Sequence, residues 1–117
     1  STSFQVGDKV IGIESGKLFY TDGYLRTNYH TSFDHTWKAC EQTLADIKAT
    51  DVTVVKKIAH GSFEAMLNED KLRIAVEYVE SDITEVAVRI GVAGNNYASQ
   101  TIHSKIKNNL LQILKTD

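Results

Sequence analysis

The chain has 117 residues, 42% of them hydrophobic and 24% charged, with a net charge of −2, one cysteine and no proline. That size suits one domain able to bury roughly two-thirds of its unfolded surface without staples. The charge supplies no broad field for nucleic acid or anionic lipid, Cys40 alone excludes an internal disulfide, and no run approaches the ~20 apolar residues of a membrane span.

Residues 1–16 read as a polar, partly flexible N-terminal extension, and residues 17–117 as a single α+β domain. Glu14-Ser15-Gly16 and Thr21-Asp22-Gly23 are turn or bulge signals between short β-prone pieces. Residues 17–20 and 24–29 read as strand material, or as one strand broken at Gly23. Tyr20, Tyr24 and Tyr29 do not share one alternating face.

Residues 32–49 read as the first helix. Thr31-Ser32 offers a hydroxyl cap, and Asp34 suits the positive end of the helix dipole. Phe33, Trp37, Cys40, Leu44 and Ile47 recur at helical spacing and form one apolar stripe. Trp37, mid-stripe, is the expected principal anchor.

Strands follow over residues 52–92. Val52, Val54 and Ile58 alternate imperfectly around Lys56, and His60-Gly61 reads as a turn. Phe63, Ala65 and Leu67 then share a face, Asn68-Glu69-Asp70 turns, and Leu72, Ile74, Val76 and Tyr78 face one way. Ser81-Asp82 turns again before Val86, Val88, Ile90 and Val92. Clean alternation implies one buried and one solvated sheet face, and short turns imply antiparallel neighbours. Gly94-Asn95-Asn96 leads into a second helix over residues 95–115, with Ile102, Ile106, Leu110 and Ile113 or Leu114 as its stripe and Tyr97 near its start. The expected fold is a two-layer α+β sandwich in the order β-α-β-β-β-β-α. A curved antiparallel sheet carries both helices on one face, a helix-grip-like layout.

No catalytic constellation of nucleophile, base and oxyanion donor is visible, so an enzyme is not expected. His30, His35, His60 and His103 lack metal-ligand spacing, and neither a metal nor another cofactor is expected. His30 and His35 flank a helix start, where solvated histidines are the plainer reading. Cys40 on the apolar stripe reads as a small buried hydrophobe rather than a nucleophile. Glu77 and Glu85 read as cross-strand ion pairs with Arg73 and Arg89, solvated rather than catalytic. Gly91 and Gly94 lack a phosphate-loop pattern and read as a turn into the helix. Tyr20, Tyr24 and Tyr29, with Arg73 and Arg89, form the candidate partner surface, because exposed aromatics are enriched at interfaces. The alternative for the tyrosines is cover for the sheet edge or closure of the core.

The runs Phe19-Tyr-Thr-Asp-Gly-Tyr-Leu-Arg-Thr-Asn-Tyr29 and Ser32-Phe-Asp-His-Thr-Trp37, and the strand Val86 to Gly91 before a last helix, resemble a small bacterial lipoprotein family of unknown function. Its shared motifs match Tyr20 to Leu25, Phe33 to Trp37 and Thr84 to Gly91, within a likeness over residues 17–110. The element order and Trp-bearing first helix also look like the helix-grip domains of a lipoprotein in the outer-membrane β-barrel assembly machinery. The resemblance implies an exported protein on the periplasmic side of the envelope, lipid-anchored through a cysteine upstream of Ser1; a cytoplasmic home is the alternative. It carries over no catalytic residue. The expected role is a non-enzymatic envelope interaction or structural domain, with another envelope protein as partner and neither nucleic acid nor a direct membrane contact. The alternative is a small-molecule or lipid carrier whose cavity, between the first helix and the sheet, is lined by Phe33, Trp37 and Leu44.

Overall fold

In the computed structural model, residues 16–116 are described, together with the backbone of two short strands, β1 (Gln5–Val6) and β2 (Lys9–Val10). These two pair antiparallel, Gln5 opposite Val10. The rest of the expected N-terminal extension, including Glu14 and Ser15 of the first turn signal, lies outside the described residues.

Two strands, β3 (Phe19–Thr21) and β4 (Tyr24–Tyr29), form a hairpin with Thr21 opposite Tyr24. Both turn residues have positive φ, 55° at Asp22 and 82° at Gly23. Such a turn matches the strand twist and explains why Asp-Gly stands there. Helix α1 (Phe33–Asp46) begins at Ser32, whose hydroxyl accepts from the His35 backbone N–H at 3.1 Å. It ends earlier than the expected residue 49. Lys48 takes φ 59°, and the N–H groups of Lys48 and Ala49 return to the carbonyls of Ala45 and Leu44. This closing pattern usually employs glycine, so the sequence concealed the stop.

A meander follows: β5 (Thr50–Lys56), β6 (His60–Leu67), β7 (Asp70–Glu80) and β8 (Ile83–Ile90), then helix α2 (Asn96–Thr116). The strands form an open six-stranded antiparallel sheet in the order β3-β4-β8-β7-β6-β5. The early hairpin therefore joins the meander through β4 and the last strand, with Leu25 opposite Val88. The fold is α+β, as the periodicities predict.

Both helices pack on the face carrying Leu25, Tyr29, Phe63, Leu72, Ile74, Val76, Val88 and Ile90, all buried. The predicted stripes supply the other side of the core: Phe33, Trp37, Cys40 and Leu44 from α1, and Ile102, Ile106 and Leu110 from α2.

Four local expectations are corrected. His60 and Gly61 lie inside β6, because the turn occupies residues 57–59. Val52 and Val54 are exposed, because β5 ends the sheet. Tyr78 is half exposed beyond the covered part of β7. Val92 and Tyr97 project to solvent where the chain leaves the sheet for α2.

Candidate binding surface on the outer sheet face and edge

Register sorts the uncovered sheet face into three rows. The middle row is Arg26, Ala87, Ala75, Ser62 and Val55, taken from β4 across to β5. On one side lie Arg89, Arg73, Glu64 and Thr53, with the Tyr24 ring below Arg89. On the other lie Asn28, Glu85, Glu77 and His60. Three small side chains, Ala87, Ala75 and Ser62, thus lie between a row with two arginines and a row with two glutamates.

This register corrects the expected ion pairs. Arg73 stands opposite Arg89, and Glu77 opposite Glu85. Arg73 instead bridges to Glu64 at 2.6 Å, and Glu85 to Arg26 at 3.7 Å. Both are solvated, so each contributes at most about 1 kcal/mol.

A groove of about 480 Å³ opens on this face. Tyr24, Met66, Lys71, Arg73, Arg89 and Val92 line it, with Asp51 and Glu64 at the β5 and β6 side. The Arg89 guanidinium donates to the carbonyl of Val92 and lies 5.6 Å from the Tyr24 ring centre; Arg26 lies 5.2 Å from the same ring. A second, polar groove runs between the helices along Lys38, Gln42, Asp46 and Asn109. There, hydrogen bonds from Gln42 and then Asn109 hold the Asp46 carboxyl below its usual range.

Of the expected surface residues, Tyr20, Tyr24, Arg73 and Arg89 reach the outside, and Tyr29 does not. Only 2% of Tyr29 is exposed, and its hydroxyl meets His103 Nδ1 at 2.7 Å. His103 Nε2 lies 2.8 Å from the Leu25 carbonyl, so it carries the proton and Nδ1 accepts from the tyrosine. Burial pushes the His103 pKa down to about 4 and raises that of Tyr29. The sequence reading missed this pair, although a signal existed: His103 falls between Ile102 and Ile106 on the helix stripe.

The expected cavity residues Phe33, Trp37 and Leu44 are buried in the core. Trp37 stacks on Phe33 at 5.7 Å between ring centres and meets Phe63 at 4.2 Å. None of the three lines either groove. Cys40 is buried, and burial first, then Glu41, raises its thiol pKa. His35 Nδ1 lies 3.0 Å from the Ser32 hydroxyl at the helix start. Among the described residues, no group of three or more His, Cys, Asp or Glu is placed to hold a metal ion.

The family model described as "Protein of unknown function (DUF3568)" matches residues 6–109. The chain belongs to that family. No curated protein matches it. The DUF3568 match spans both grooves' strand and first-helix walls, the Asp22-Gly23 turn and the Tyr29–His103 pair.

The sheet edge formed by β5 completes the surface. All seven of its residues are exposed, including Val52 at 44%, Val54 at 49% and Val55 at 47%. Ile58, in the following turn, is 97% exposed. A bulge between Thr50 and Thr53, with Asp51 at φ 53°, interrupts pairing at the start of the strand. Among the described residues, no helix is long and apolar enough to cross a membrane.

Proposed function

We propose that this DUF3568 domain is a non-enzymatic interaction module of the cell envelope that accepts a partner protein's strand along β5. The observation that carries the reading is the β5 edge, with three half-exposed valines on a strand that ends the sheet. An edge strand presents unpaired backbone donors and acceptors, and an added strand satisfies them while side-chain contacts set specificity. The bulge at Asp51 and the charge of Lys56 limit the usable stretch, so indiscriminate pairing is discouraged and a short partner strand is favoured.

The envelope location, and a lipid anchor upstream of this chain, rest on the resemblance of the Tyr20, Phe33 and Thr84 motifs to bacterial lipoproteins. A carrier is the second choice, because Phe33, Trp37 and Leu44 spend their surface on the core rather than on either groove.

The test is site-specific photo-crosslinking in cells of the source organism. A probe at Val52 is expected to give a discrete adduct with another envelope protein that is absent with the probe at Gln100. Val55→Asp, a change at an exposed position, should abolish that adduct while the purified domain keeps its circular dichroism. Equal labelling from both probes would remove the edge as the docking site. Substrate turnover that depended on one defined polar side chain would remove the non-enzymatic reading.

A further inference from the structure

We propose that the groove on the outer sheet face binds a small organic anion, a carboxylate or phosphate monoester joined to a flat apolar body. The site adjoins the β5 edge through Asp51 and Thr53, but anion binding there does not depend on strand docking.

The charge arrangement is the first argument. Like charges directly opposite one another destabilise a sheet. Here Arg73 faces Arg89 across β7 and β8, and Lys71 lies two residues before Arg73 on the same side of β7. Glu64 engages Arg73 from β6, and Asp51 stands at the β5 side, so three cations meet two carboxylates in the groove. The local excess is positive in a chain whose net charge is −2. An oxyanion between Arg89, Arg73 and Lys71 would relieve the repulsion through charge-assisted hydrogen bonds.

The second argument is preorganisation. Arg89 is held by the Val92 carbonyl and by the Tyr24 ring. A guanidinium already fixed in place loses less freedom on binding.

The third argument is the apolar surface. Tyr24, Met66 and the exposed Val92 lie beside the cations. A volume of about 480 Å³ is within the range of small-molecule sites. Arginine beside an aromatic ring suits an anion that carries a ring or other flat group.

The experiment is an amide NMR titration of the whole chain at low salt with benzoate, phenyl phosphate, inorganic phosphate and benzyl alcohol. Benzoate or phenyl phosphate should give saturable shifts at Lys71, Arg73, Arg89 and Val92, and the better of the two identifies the head group. Arg89→Gln should weaken that binding about tenfold, or ~1.4 kcal/mol, while leaving the rest of the spectrum in place. Arg73→Gln provides the same readout if the first variant disturbs the fold. Three results would overturn the proposal: no saturation with either organic anion, equal binding of benzyl alcohol, or unchanged affinity in both arginine variants. Inorganic phosphate binding as well as phenyl phosphate would overturn it too, by showing an adventitious ion only.

Discussion

The indole of Trp37 lies against the backbone of Gly61 so closely that no side chain fits between them. A Cβ at Gly61 would stand 2.7 Å from Trp37 Cζ3 and 2.5 Å from the Val55 carbonyl oxygen. One neighbour is a packed ring and the other is backbone of the adjacent strand, so neither yields cheaply. Gly61→Ala is expected to cost about 1–3 kcal/mol through overpacking. Urea unfolding followed by tryptophan fluorescence measures it directly; an unchanged midpoint would mean that the ring moves aside freely.

Removing the ring tests the same contact from the other side. Trp37→Ala deletes the partner of both Phe33 and Phe63 at a position only 3% exposed. The expected loss is about 3–5 kcal/mol, the usual cost of truncating a buried aromatic. In the combined Gly61→Ala, Trp37→Ala chain the two losses should fall short of additive, because the clash with the ring has gone and only that with the Val55 carbonyl remains.

Acid should weaken the fold through His103. The unfolded histidine binds its proton near the ordinary value of 6.5, whereas burial keeps the folded one neutral until about pH 4. Burial produces this lowering, against the opposing pull of the Leu25 carbonyl, and between those values the unfolded chain binds more protons. The contribution is therefore complete above 6.5 and is lost as pH falls toward 4, amounting to about 3 kcal/mol. Urea midpoints at pH 7, 5.5 and 4 should fall in that order. His103→Gln, which has no proton to gain, should flatten this part of the profile.

Two loops meet through glycine. Gly94 has φ 89°, and a Cβ on it would stand 2.5 Å from both Gly23 Cα and the Tyr20 hydroxyl. Gly94→Ala should destabilise the domain by about 1–3 kcal/mol, because strain and clash act together. The amide signals of Tyr20 and Gly23 should shift with it; unchanged signals there would refute the contact.

The thiol of Cys40 should stay silent. It is fully buried, and burial raises its pKa, so the reactive thiolate is both scarce and shielded. A coloured disulfide reagent is expected to react at the rate of unfolding rather than at the rate of an exposed thiol. Fast reaction in native buffer would contradict this placement.

Much of this architecture was legible locally. The stripe from Phe33 to Leu44 and the alternation through β6, β7 and β8 follow from period alone, and they carry most of the core. What escaped depends on position in the assembled sheet. Val52 and Val54 alternate too imperfectly to place, and their exposure follows from β5 ending the sheet. Gly61 looked like a turn residue, yet its lack of a side chain serves the indole. The arginines of the candidate site were visible, but register alone shows Arg73 between Arg89 and Glu64 rather than beside Glu77 or Glu85. Tyr29 looked like surface because its partner lies 74 residues away.

The pairing of β4 with β8 also sets a schedule for the growing chain. When β4 leaves the ribosome its neighbour does not yet exist; about sixty residues separate Leu25 from Val88. The local β5–β8 meander can form while the hairpin waits, and the His103 that receives Tyr29 emerges later still. A chain halted before residue 83 would hold two raw seams, along β4 and along β7, where the finished molecule has none. Translation pauses after β7 is made and before β8 emerges should therefore be more hazardous to this protein than pauses before β5.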